Sequence, residues 1–150
     1  MSLRRTARSV FDAALRAADV HPLVQRALAA VRPPDGGRVL VVGAGKASGA
    51  MAAAAEDVLG DRIADGVVVV KDGYRADTRR VRLLEAGHPV PDARGEAAAR
   101  QIRALAEAAG ADDLLLVLIS GGGSALTPAP APPLTLADKQ AMTRLMLAAG

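Results

Sequence analysis

Two stretches decide what this chain can fold into: RVLVVGAG at 38–45 and LLLVLISGGG at 114–123. In each, a run of aliphatic residues without polar alternation leads straight into glycines. A strand that is apolar at every position is covered on both faces, the condition of a parallel sheet flanked by helices. Glycine directly after such a strand gives up conformational entropy and packing, so the loop needs an unusual backbone geometry or a close approach. GVVVV at 66–70 reads as a further buried strand, and VRLLEAG at 81–87 as a weaker one.

Helical segments alternate with these strands. KASGAMAAAAEDVLG at 46–60 has helical composition and stops at Gly60. PDARGEAAARQIRALAEAAG at 91–110 predicts a helix with Asp92 as N-cap, Ala98, Ile102, Leu105 and Ala109 on one face, and Gly110 as its stop. LTLADKQAMTRLMLAAG at 134–150 predicts the last helix, after an extended proline-rich connection, TPAPAPP, at 127–133. Upstream, Val10, Phe11, Ala14, Leu15 and Ala18 recur at helical spacing, and a second helix follows Pro22 through Leu23, Val24, Ala27, Leu28 and Val31. RPPDGG at 32–37 then breaks the chain.

The expected architecture is therefore α/β: a doubly wound, mostly parallel sheet with helices on both faces (Rossmann-like), preceded by two N-terminal helices. Residues 1–37 form the helical lead-in and 38–150 the βαβ core. Ligands of such sheets sit beyond the carboxyl ends of the strands, where the strand order reverses. The glycine loops at 43–45 and 121–123 both follow strand ends, so they are placed to line one site.

Composition removes several function classes. The absence of cysteine excludes disulfides and thiolate metal sites, and suits a cytoplasmic location. His21 and His88 are too far apart for any histidine metal spacing, so no metal ligands are assigned. Residues 1–38 hold seven Arg against three Asp, while the rest of the chain is nearly balanced. A basic patch of this kind can meet nucleic acid, but only one Phe and one Tyr are available as stacking platforms, so no nucleic-acid partner is expected. The arginine-rich start resembles a transit peptide until Asp12 and Asp19 interrupt it, and no apolar core follows the arginine pair. No run approaches the ~20 apolar residues needed to span a bilayer, so no membrane partner is expected.

The first glycine loop, VVGAGKASGAM at 41–51, fails as a Walker loop, because Leu40 stands where the leading glycine belongs and Ala47 follows Lys46. As a dinucleotide fingerprint it is incomplete: Gly43 and Gly45 fit, but Ser48 occupies the third glycine position. What remains is a strand-to-helix turn able to hold an anion, with Lys46 as a point charge, or a tight turn with an exposed lysine. In the second loop, Gly121, Gly122 and Gly123 let successive N–H groups converge on an anion, and Ser120 and Ser124 add hydroxyls without bulk. Ser124 is followed by Ala125 and Leu126, which breaks the serine-hydrolase elbow. His88, in EAGHPVPD, is placed either to act on a substrate or to tie down its turn.

GAGKASGAMA, GHPVPD and SGGGSAL, in this order, resemble the glycerate 2-kinase family (class II glycerate kinases, often labelled hydroxypyruvate reductase). The similarity runs through essentially all 150 residues. It implies ATP-dependent phosphorylation of the 2-hydroxyl of D-glycerate, with Mg²⁺, in a cleft between two α/β domains. Lys46 matches the family's functional lysine, residues Ser120 to Ser124 its phosphate-binding loop, and His88 its turn. The partners implied are the small-molecule substrate and a nucleotide, with room for a homodimer. Members of the family are over twice this length, and their second domain has no counterpart here. The expectation is that these 150 residues alone are catalytically inactive and poorly stable. Two alternatives stand beside the kinase: an NAD(P)H-dependent hydroxypyruvate reductase, and a non-enzymatic module that binds a nucleotide or another anion.

Overall fold

The computed structural model describes residues 2–32 and 35–150. Pro33 and Pro34, within the expected RPPDGG break, lie outside the described residues. Two helices open the chain, α1 (Leu3–Ala17) and α2 (Val20–Ala29). The core continues as β1 (Val39–Ala44), α3 (Ser48–Leu59), β2 (Ile63–Lys71), β3 (Val81–Ala86), α4 (Ala93–Glu107), β4 (Leu114–Ile119), the short α5 (Gly123–Leu126) and α6 (Leu136–Ala149).

The capping chemistry explains most helix starts. Asp92 accepts the N–H of Gly95 at the head of α4, as the sequence predicted. Thr135 and Asp138 form a reciprocal capping box on α6. α2 begins at Val20, ahead of Pro22, because Asp19 caps it by accepting the N–H of His21. Proline is tolerated there, since an N–H in the first helical turn has no partner to lose.

All four strands are parallel, in the order β3-β2-β1-β4. Successive strands therefore step outward from β1 to β3, and β4 then returns to the other side of β1. Side chains alternate between two aliphatic layers. Val39, Val41, Val68, Val70, Leu83 and Leu118 meet Ala52, Ala54 and Ala55 of α3, with Val24 and Leu28 of α2 behind them. On the other face, Ala44, Val69 and Ala86 meet Ala98 of α4 and Leu126 of α5. The expected doubly wound arrangement is present.

One expectation about coverage needs correction. β4 is as apolar as β1, yet only Leu118 is buried, and Val117 and Ile119 stand 53% and 61% exposed. Among the described residues, α4 packs over β1, β2 and β3 and leaves the second face of β4 open. α1 is similar: its apolar stripe of Val10, Phe11 and Leu15 is exposed, and none of its residues is buried. No helix among the described residues is long and apolar enough to cross a membrane.

Candidate functional site

The reversal of strand order lies between β1 and β4, whose carboxyl ends pair as Ala44 with Ile119. Both glycine loops emerge at this point, and the structure joins them directly. Lys46 donates its backbone N–H to the carbonyl of Gly121 at 3.0 Å, and Ser120 donates its own to the carbonyl of Ala44 at 3.1 Å. The Ser120 hydroxyl accepts the N–H of Ala47 at 2.9 Å and lies 3.1 Å from the hydroxyl of Ser48. Ser48 is fully buried, so its hydroxyl serves this joint.

This contact gives the glycines of the first loop a structural cause. A side chain on Gly43 would place its Cβ 2.3 Å from the carbonyl oxygen of Leu118. At Gly45, whose φ is +144°, the Cβ would fall on the hydroxyl of Ser120. β4 therefore approaches β1 as closely as it does because these two residues have no side chain. The second loop differs. Gly121 faces open space, and Gly122, at φ +96°, lies under His88 and Lys46. A Cβ on Gly122 would sit 2.9 Å from His88 Nε2 and 3.6 Å from Lys46 Cε. Among the described residues, the N–H groups of Gly121, Gly122 and Gly123 donate to no carbonyl. Ser124 follows them, exposed, in the single turn of α5.

His88 comes from the end of β3 and reaches this rim because its turn is tied down. Asp92 accepts the N–H of Gly87 at 3.0 Å with one oxygen and the N–H of Gly95 at 2.9 Å with the other. Arg94 then links Asp92 to Asp72, gripping the Asp72 carboxylate through both terminal nitrogens at 2.7 and 2.8 Å. That fork holds Asp72 below the ordinary aspartate range and raises Arg94 further above its own. His88 is half-buried, and its pKa is pushed down by that burial and then by the charges of Lys46 and Lys71. Both effects favour the neutral imidazole.

Lys71 opens the charged stretch KDGYRADTRRVR at 71–82. It is the last residue of β2, opposite Ala86 in register, and its ammonium sits 5.0 Å over the centroid of the Tyr74 ring. The strand-end rule that singled out Gly43 and Ser120 applies equally to Lys71, two residues before a turn glycine. Its place at a strand end is thus the sequence signal that points to Lys71.

The rim thus gathers Lys46, Lys71, His88 and the free amides of 121–123, a set suited to phosphate or carboxylate. It is poor in metal ligands. Asp72 and Asp92 are committed to Arg94, and among the described residues no group of three or more His, Asp or Glu could hold an ion. A separate cleft at the amino ends of the strands, lined by Glu56, Gly60, Asp61, Arg79 and Arg80, has a structural basis. There the buried Glu56 carboxylate accepts the N–H groups of Arg79, Arg80 and Val81.

Comparison with known proteins gives the family of the chain and relatives of its fold. Residues 6–150 match the protein family described as "Domain of unknown function (DUF4147)". A Bos taurus protein named glycerate kinase is 42% identical over 177 residues, covering 100% of this chain and 34% of its own. An Agrobacterium vitis protein with a provisional hydroxypyruvate reductase name is 45% identical over 150 residues, again across 100% of this chain and 34% of its own. The solved structure of a Thermotoga maritima glycerate kinase superposes with a TM-score of 0.85 at 33% identity, covering 99% of this chain and 35% of that one. The chain spans about a third of the length of the relatives it matches.

Proposed function

The chain belongs to the DUF4147 family, and on that premise we propose that it supplies the phosphate-binding part of an ATP-dependent kinase acting on the 2-hydroxyl of D-glycerate. One observation carries this reading: Lys46 and the unpaired amides of Gly121, Gly122 and Gly123 converge at the switch point of a parallel sheet.

Phosphoryl transfer needs little covalent help from the protein. It needs positioning and neutralisation of charge on phosphate oxygens. Fixed N–H dipoles and an ammonium group provide both without reorganising during the reaction. Here the amides of 121–123 donate to the phosphate oxygens and Lys46 balances their charge. Ser48, Ser120, Gly43 and Gly45 hold the two loops in register, and Ser124 adds a hydroxyl at the exposed end. His88, kept neutral, offers a hydrogen bond to the acceptor hydroxyl. The donor set fits the phosphates of ATP, whereas the carboxylates of this rim are already engaged and do not fit Mg²⁺.

The reading is tested by assaying the protein expressed from its uninterrupted reading frame with ATP and D-glycerate, coupled to enolase without a phosphoglycerate mutase. Only 2-phosphoglycerate feeds enolase directly, so a signal establishes both the reaction and the hydroxyl attacked. Silence from a folded protein, with oxidation of NADH or NADPH on hydroxypyruvate, would turn the assignment to a reductase.

A further inference from the structure

We propose that the rim holds a second anion subsite, formed by Lys71 beside His88 and the Lys46 loop, and that it takes the carboxylate of the acceptor substrate. This inference rests on the kinase reading and adds the residue that recognises the acid end of the acceptor.

The first support is charge accounting. Among the described residues, neither Lys46 nor Lys71 has a carboxylate within 4.0 Å. The acids nearby in sequence are used elsewhere: Asp72 and Asp92 by Arg94, and Glu85 by Arg75 and the N–H of Gly73. Two uncompensated ammonium groups on one rim favour a ligand with two anionic groups, or one that becomes so on phosphorylation.

The second support is position. Lys71 and His88 leave neighbouring strands at the same end, because Lys71 pairs with Ala86. Tyr74 closes the turn after Lys71 and meets its side chain. Its N–H bonds the Lys71 carbonyl at 2.9 Å, and its ring faces the ammonium. His88 touches the glycine loop at Gly122, where the stem of Lys46 also lies, and it feels both lysine charges. A short hydroxy acid has its carboxylate on the carbon next to the reacting hydroxyl. It fits a rim with one ammonium for the carboxylate, one for the phosphate, and a neutral imidazole for the hydroxyl.

The test follows the His88 imidazole by NMR in the protein from the uninterrupted reading frame, with the signal assigned by its loss in His88→Gln. D-glycerate and inorganic phosphate are titrated separately as probes. The expected result is that Lys71→Met weakens D-glycerate binding by about tenfold or more and raises the His88 pKa. Lys71→Arg should restore most of the affinity, and Lys46→Met should weaken phosphate more than D-glycerate. If Lys71→Met does not fold, Lys71→Gln carries the same comparison. Unchanged D-glycerate affinity in a folded Lys71 variant overturns the subsite and leaves the kinase reading intact. A wild type that binds phosphate but not D-glycerate does the same, and one that binds neither removes both.

Discussion

The hydroxyl oxygens of Ser48 and Ser120 lie 3.1 Å apart, although 72 positions separate the residues in the chain. This pair, with the N–H of Ala47 on the same Ser120 oxygen, is the polar joint between the end of β4 and the first turn of α3. Everything the glycine loop presents to solvent is referenced to it.

Ser120→Ala removes that joint without adding bulk. It leaves the buried Ser48 hydroxyl and the Ala47 N–H without their partner. A loss of about 1–3 kcal/mol in urea unfolding is expected, with phosphate affinity reduced as the two loops part. Unchanged stability and affinity would show that the loops hold their register without it.

Gly122→Ala tests the second loop. The positive φ disfavours any side chain there by about 1–2 kcal/mol, and the new Cβ would meet the His88 ring. Displacement of the imidazole should appear as a changed His88 NMR signal. Gly121→Ala, by contrast, meets open space and should leave that signal in place.

Lys46→Met removes one charge from an exposed residue whose backbone makes the contact to Gly121. Thermal stability should stay within a few degrees of wild type, while turnover of D-glycerate and ATP by the protein from the uninterrupted reading frame falls at least about 100-fold. Wild-type turnover would make Lys46 a turn residue only.

Glu56 predicts a pH dependence of stability. Its burial acts to raise the carboxyl pKa, but the N–H groups of Arg79, Val81 and Arg80, helped by the Arg79 charge, bring it below the ordinary value of 4.5. A carboxyl whose pKa is lower in the folded state stabilises fully above its unfolded value, and that contribution disappears as pH falls through the folded value. Glu56→Gln should therefore cost about 2–4 kcal/mol at pH 7, leaving buried N–H groups poorly matched. The gap between variant and wild type, measured by denaturant titration, should narrow steadily below pH 4.5. A gap independent of pH would mean that Glu56 acts by packing alone.

Much of the sheet was legible because β1 and residues 67–70 of β2 are aliphatic at nearly every position, which leaves few alternatives to a covered parallel strand. Asp92 announced its helix through local chemistry that operates within a few residues. The parts that escaped depend on distant partners. Glu56 is one acid among many on an alanine-rich helix until residues 79–81 arrive to use it. Gly43 and Gly45 suggested an anion loop, and their second cause, the approach of Leu118 and Ser120, exists only once β4 lies beside β1. Lys71 was hidden by its charged neighbours, most of which pair with residues outside that stretch: Asp72 with Arg94, Arg75 with Glu85, Arg79 with Glu56, Arg80 with Asp61 and Arg82 with Asp65. The open face of β4 escaped because an all-apolar strand predicts cover on both faces, and the reach of α4, which packs over β1, β2 and β3, is not written in the strand itself.

The pairing of β1 with β4 also imposes an order on events during synthesis. β1, β2 and β3 are neighbours in sequence and in space, so they can zip together as the chain emerges. The loop at 121–123 meets Lys46 only when β4 inserts on the vacant flank of β1, a contact across 75 positions at Val39 and Leu114. On the proposed reading, the anion site is complete only once that strand is in place. On the same reading, an anion bound there opposes release of the strand by mass action, so phosphate should protect this flank of the sheet first.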